Sequence, residues 1–530
     1  MAKIMKLYKL LLVISLVIGI CACEDNLDTF PTDQAAGPEL FSDVDKAMST
    51  INGLYRAMYE TGWGGGWYHE QFGHVALMHC AGLMAEDMVQ NEQGSGWFYY
   101  DYKYQVKSDY THTSGRPYST WNFYYTLITN ANSILASKEA LSGAPSKVNS
   151  LMGQAFALRS FCYFNLARFY QQTYVGNASL PGVPIYTEPT TIETEGVGRG
   201  TLEDVYKQIN ADIDSALLRL HPDRAAEKAH ISNIDYYSAN GIKAQIMIEQ
   251  ERWQEAYDAA SESLSGSTIM LSEADIKGGY AFNDISNKSV MWGFEVIDDQ
   301  VPGAGRAGLF GHMDASADDY YAFKSRVCIS NWLYEQVGDN DIRKNWWNGV
   351  IPEDEEMSTG TQLSYNQFKF KFKNQSTGAG DYVFMRHEEM MLIMAEAECM
   401  LDHYAEARQI LADLMDERME GYDIDDIVDA KTLTTGDANG PTTPNVGSLT
   451  LLDEIFLQRR IELWGEHPRI YDVKRKKTGF TRDFAGSNHS NKISGIDTEN
   501  ALCPDWVMSI PQAEFDGNEA MDQDKDQNPW

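Results

Sequence analysis

His69, His74 and His79 stand five residues apart beside Glu70 and Cys80, the side chains in this chain most suggestive of a metal site. Residues five apart on a helix are separated by about 140°, so the three imidazoles cannot share a face and no zinc site is expected. His387 opens "HEEMM" without the second histidine that a zinc-protease helix requires. The acidic run "DQDKDQ" from Asp522 imitates the start of a calcium-binding loop. Gln527 stands where the glycine is needed, however, and the run stops short of the twelfth ligand position, so at most a weak structural calcium site follows. "GVGRG" and "GRAGLFG" lack the strand–glycine–helix setting of a phosphate loop. Glycoside hydrolysis needs two carboxylates across a cleft, and among 77 acidic residues no motif marks such a pair. No enzyme is indicated, and no cofactor is expected.

The elements that position any site are mainly helices. Amphipathic spacing predicts helices over Val44–Thr61, Tyr118–Ala136, Lys147–Gln171, Thr201–Leu220, Asn233–Gln250, Trp253–Leu264, Tyr382–Leu401, Tyr404–Met419 and Leu451–Trp464. Between them, 62–117, 265–381 and 421–447 read as long loops rich in Gly, Asn, Asp, Ser and aromatics, a length usually associated with function. "AQIMIEQERWQEAYDAASESL" and "AEAECMLDHYAEARQILADLM" align without gaps at an offset of 151 residues, with Ala244 matching Ala395, Trp253 matching Tyr404, and Glu255-Ala256 matching Glu406-Ala407. Each is a helical hairpin with small residues where its helices meet, the logic of a tetratricopeptide unit.

At the N-terminus, Lys3, Lys6 and Lys9 precede an apolar core of 11 residues, Leu10 to Ile20. That is too short to span a bilayer, which takes roughly 20 residues, and reads as a secretory signal over residues 1–22. "I-C-A-C" resembles a bacterial lipobox, which implies that Cys23 is the acylated first residue of the mature chain. The tract Glu24, Asp25, Asp28 resembles a Bacteroidetes surface-export signal. Losing the three lysines makes the formal charge still more negative than −34. Such a balance repels phosphate backbones and anionic membranes, and argues against a nucleic-acid partner. Membrane attachment would then rest on the lipid. The remaining cysteines, Cys80, Cys162, Cys328, Cys399 and Cys503, are scattered and show no C-x-x-C pair, so neither disulfides nor zinc are indicated. Cys162 and Cys399 read as core filler.

Six ordered segments carry a resemblance: "NLDTFPTDQ", "GQAFALRSFCYFNLARFY…LPGVPIYTEPT", "VYKQINADIDSALLRL", "MRHEEMMLIMAEAECML", "EIFLQRRIELWGEHPRIYDVKRKKTG" and "WVMSIPQAEFDGNEAMDQDKDQNPW". Together with the lipobox they resemble the SusD/RagB family of outer-membrane nutrient-binding lipoproteins of Bacteroidetes. Two positions depart from the pattern: Gln154 stands where Glu is usual and Gln171 where Gly is usual. The resemblance implies a mainly α SusD-like fold with tetratricopeptide-type hairpins as core, long loops and a few short strands. Within one helical body it implies an N-terminal region at 23–225 and a C-terminal region at 226–530. Arg159, and Arg459-Arg460 with Glu462, Glu466, Arg469 and Asp472, are expected to form buried ion networks joining helices, which specify geometry more than they stabilise.

The same resemblance implies capture of an oligosaccharide or polysaccharide at the cell surface and its delivery to a SusC-like TonB-dependent transporter. Pyranose C–H faces lie well on rigid aromatic rings, and sugar hydroxyls need short polar partners. The N-terminal loop supplies Trp63, Trp67 and Tyr68 among glycines, then Trp97, Tyr99, Tyr100 and Tyr102 beside Asn91 and Gln93. The central loops that the family uses fall near Phe310, Tyr320, Tyr321 and Trp332, and Trp97 and Trp67 are the leading candidates. Three alternatives stay open, one of them a purely structural surface lipoprotein that binds neither ligand nor transporter. Acidic loops such as "PEDEEM" would suit cationic peptides, and a surface glycosidase needs only an unmarked carboxylate pair.

Overall fold

Several helices begin where the sequence supplies acceptors for free amides. Thr201 with Asp204, Asp235 with Ser238, and Thr450 with Asp453 each close a reciprocal capping box, opening Leu202–Leu220 (α5), Tyr236–Glu249 (α6) and Leu451–Glu462 (α10). Pro117 and Pro145 sit in the first turns of Arg116–Ala136 (α3) and Pro145–Tyr170 (α4), where a missing N–H costs nothing. The other principal helices are Val44–Ala57 (α1), Gly73–Leu83 (α2), Trp253–Leu264 (α7), His387–Met400 (α8), Tyr404–Asp416 (α9) and Arg469–Lys476 (α11). This computed structural model describes residues 41–64, 68–106, 109–113, 115–278, 282–298, 301, 307–428, 450–490, 493 and 496–528. Cys23 and Trp67 lie outside the described residues.

Helix α4 packs between α3 and α5. The hairpin α6–α7 meets the hairpin α8–α9 through α7 and α8. The internal repeat extends to the backbone of the turns. Glu251 (φ 55°) and Asp402 (φ 64°) occupy matching left-handed positions, and Ala244, Ala256, Ala395 and Ala407 are fully buried where the helices close. One continuous core draws on residues from Phe41 to Met521, and a smaller one lies beneath α8, α9 and α10. All five body cysteines are buried, Cys162 and Cys399 among them.

Two expectations need correction. Tyr382–Arg386 is a strand (β4), not the first turn of a helix, and pairs antiparallel with Val290–Phe294 (β2), Phe294 opposite Tyr382 and Val290 opposite Arg386. Helix α8 starts directly after it, and a short apolar run gives too little periodicity to separate the two states. Stretch 62–117 is also not wholly loop. It contains α2, which is buried on nearly every side and therefore shows no polar face to announce a helix.

Buried charge fastens the elements. Glu462 receives Arg343 (3.0 Å), Arg386 (2.9 Å) and Arg418 (3.0 Å), and burial, which alone would raise its pKa, is overcome so that the carboxyl sits well below the usual range. Arg159 grips Asp212 across α4 and α5 with contacts of 2.8 and 2.6 Å. Arg460 reaches Glu86 and Asp87, and Arg459 reaches Asp472. The expected networks are therefore present, with Arg343, Arg386 and Arg418 as partners that no motif announced.

Candidate functional site

A two-residue ladder brings the aromatic loops together. Met88–Val89 (β1) pairs antiparallel with Cys328–Ile329 (β3), Met88 opposite Ile329 and Val89 opposite Cys328. Beyond it, Gln90 Nε2 donates to Trp97 O and Ser325 Oγ (both 3.2 Å), and Ser325 Oγ donates to Glu92 O at 2.8 Å. Arg326 Nη2 holds Glu92 Oε1 at 2.8 Å. Asn91 is bound to Asn488 O and to the Ser490 amide, so it braces the loop and does not project from it. Segments 88–102, 320–332 and 486–490 thus form one bonded unit.

On this frame sits a rim of rings. Trp97 is half-buried and stacks on His69, with ring centroids 3.6 Å apart and planes 6° from parallel. The Tyr321 ring lies 4.9 Å from that of Trp97, tilted by 55°. The Tyr321 hydroxyl donates to Gln93 O (3.1 Å), while Gln93 Nε2 donates to the exposed Tyr100 hydroxyl (2.9 Å), and Tyr100 meets the Tyr99 ring edge-on at 5.7 Å. Glycine is required here: Gly94 (φ 51°) and Gly96 (φ 93°) are left-handed, and a Cβ on Gly96 would stand 2.4 Å from the Tyr100 ring. Phe98, fully buried, is also held at φ 58°, a conformation that is costly for a bulky side chain and gathers at ligand sites.

Beneath the rim the cluster is uncharged. Burial lowers the pKa of His69 and pushes those of His79 and His312 further down, so neutral imidazoles pack on Phe98 and Trp97. The Trp97 indole N–H is buried without an acceptor among the described residues, a cost of about 1–3 kcal/mol if left unmet. Glu70 lies alongside; burial foremost lifts its carboxyl to about 7, against the pull of Arg116, whose Nη2 is 3.9 Å away. Asp101 is buried and gripped by Arg116 at 3.0 and 2.9 Å, and Cys80 donates to it as well.

The predicted rings therefore separate. Trp97, Tyr321, Tyr99 and Tyr100 come together. Tyr320 turns away, its ring 4.3 Å from Phe372 and its hydroxyl on Gln375 O. Trp63 packs edge-on against Phe123 and donates to Glu60 O, and Tyr68 occupies a single helical turn with Glu70. Trp332 is a correction: it is 2 % exposed, beneath the Arg460 guanidinium at 4.9 Å, and offers no ring face to a ligand. Phe310 is likewise buried, stacked on Tyr382, and so is Tyr102. The acidic tail serves as a cap, since Asp522 accepts the Asp524 amide and pairs with Lys525. His69 and His312, which pack with Trp97, were not legible as such, because their contact joins positions far apart in the chain.

Comparison with known proteins places this helical body in a family. Residues 71–239 match the SusD-like family model described as starch-binding associating with outer membrane, and residues 303–529 match that of the SusD family. The chain belongs to the SusD/RagB family. It is 22 % identical to SusD-like protein P2 of Formosa agariphila over 96 % of this chain and 97 % of that one. Its fold is similar to a SusD-like carbohydrate binding protein from Bacteroides vulgatus (TM-score 0.72, 23 % identity, 91 % and 98 % covered). It is also similar to surface glycan-binding protein A from Bacteroides thetaiotaomicron (TM-score 0.63, 16 % identity, 93 % and 100 % covered).

Proposed function

We propose that this chain is a lipid-anchored surface protein, tethered through Cys23, that captures a glycan on the Trp97–Tyr321–Tyr100 rim. It then passes the glycan uncut to a SusC-like TonB-dependent transporter in the outer membrane. The observation that carries the reading is the ring pair Trp97–Tyr321, preorganised on His69 and rigidly bonded across two distant loops. Rings fixed before binding lose little freedom on contact, which favours affinity for a flat sugar face. Further support comes from the outer-membrane, starch-binding description of the matched family and from the carbohydrate-binding and glycan-binding descriptions of the two structural neighbours. No helix among the described residues is long and apolar enough to cross a membrane, which is compatible with anchoring by lipid.

Hydrolysis is disfavoured at this rim. Glu70 has the raised pKa of a general acid, but the adjacent carboxylate, Asp101, is locked under Arg116 and cannot reach a substrate. The test is affinity electrophoresis of the purified protein in gels containing neutral polysaccharides, with reducing ends assayed in parallel. Retardation without new reducing ends is expected; release of reducing sugar would replace capture with catalysis.

A further inference from the structure

A second cleft lies along α3. Tyr118, Asn122, Tyr125 and Thr129 follow helical spacing and line one wall of a cavity of about 310 Å³, within the range of small-molecule sites. Segments 184–197 and 511–518 form the other walls, contributing Tyr186, Thr190, Thr194, Glu514 and Asn518.

These walls are fastened to one another. Tyr125 donates to Pro184 O at 2.7 Å, Thr129 bonds Thr190, and Trp121 Nε1 donates to Glu514 Oε2 at 3.0 Å. Asn518 Nδ2 bridges Val197 O (3.0 Å) and Glu514 Oε1 (2.7 Å). Among the described residues lining the cleft, Glu514 alone carries a formal charge, and its two oxygens accept from the neutral N–H groups of Trp121 and Asn518. Those neutral donors leave its charge in place, so an anionic ligand would meet repulsion with no Lys or Arg in the lining to offset it. What remains is half-buried tyrosine surface beside hydroxyls and amides, a lining suited to an uncharged, hydroxyl-rich molecule.

From this we infer that the cleft between α3 and segments 184–197 and 511–518 is a second saccharide site, specific for neutral sugars and separate from the Trp97 rim. The inference rests on the glycan-capture reading and adds a second contact to it. Two sites on one rigid body would hold a long polymer more firmly than either does alone, provided the chain spans both.

Titration calorimetry of the full protein with malto-, cello-, xylo- and mannohexaose separates the possibilities. The expected result is two sites per chain for one of these sugars, one abolished by Trp97→Ala and the other by Ala513→Trp. Ala513 is exposed at the cleft, so a new indole there fills it without disturbing the core. Tyr118→Ala should weaken that second site about five- to tenfold, the loss of one stacking ring. A single site that Trp97→Ala removes, and that neither Ala513→Trp nor Tyr118→Ala alters, overturns the second site and leaves the capture reading standing. Absence of any binding by the unmodified protein overturns both.

Discussion

Burial decides which of the expected rings a ligand can meet. Trp332 and Trp97 look equivalent in sequence, each an indole in a long loop, yet one is sealed under Arg460 and the other is half-buried on His69. Trp332→Ala should therefore cost about 3–5 kcal/mol of stability, read by urea unfolding, and act on binding only through that loss. Glu70 gives a pH signature. Its carboxyl is raised from 4.5 to about 7, so between those values the folded protein holds a proton that the unfolded chain does not. Its contribution is present below pH 4.5 and fades as pH rises through 7, and Glu70→Gln should flatten the melting temperature over that window. Glycine-rich aromatic loops announced the region at Trp97 because composition marks loops crowded with rings, though not which of those rings stay open. The pairing of Trp97 with Tyr321 was hidden, since it depends on a ladder two residues long between segments about 240 positions apart.

Among the elements, the helices were the readable part. Capping boxes at Thr201, Asp235 and Thr450 and the apolar stripes of α1, α5 and α7 are local signals. The exceptions, α2 and β4, are buried segments whose neighbours rather than their own periodicity determine their conformation. The duplicated hairpin reaches further than its matched letters, because both turns use a non-glycine left-handed residue at the same place. Glu251→Gly should relieve that conformation and stabilise the protein by about 0.5–1 kcal/mol after the added freedom of the unfolded chain is counted, with Asp402→Gly gaining less because Asp tolerates the region better. Thermal unfolding of the two variants checks the ranking; equal destabilisation by both would show that side-chain contacts hold the turns.

On the scale of the whole molecule, the family's ordered motifs were visible because they encode the network around Glu462 and the helix contacts that build the body, while the aromatic loops carry no fixed motif. The proposed lipid anchor at Cys23 makes a prediction of its own. Cys23→Ala should move the protein from the membrane fraction to the soluble fraction without changing glycan affinity, and an unaltered membrane fraction would contradict lipid tethering. The central claim is that Trp97 is the leading contact for a glycan that leaves intact. Its most direct test is titration of the unmodified protein and Trp97→Ala with the polysaccharide that gels show to be retained, followed by sizing of the recovered polymer. The account predicts at least a tenfold loss of affinity in the variant, about 1.4 kcal/mol, with the melting temperature retained and the polymer length unchanged. Equal affinity in the two proteins, or a shortened polymer, would contradict it.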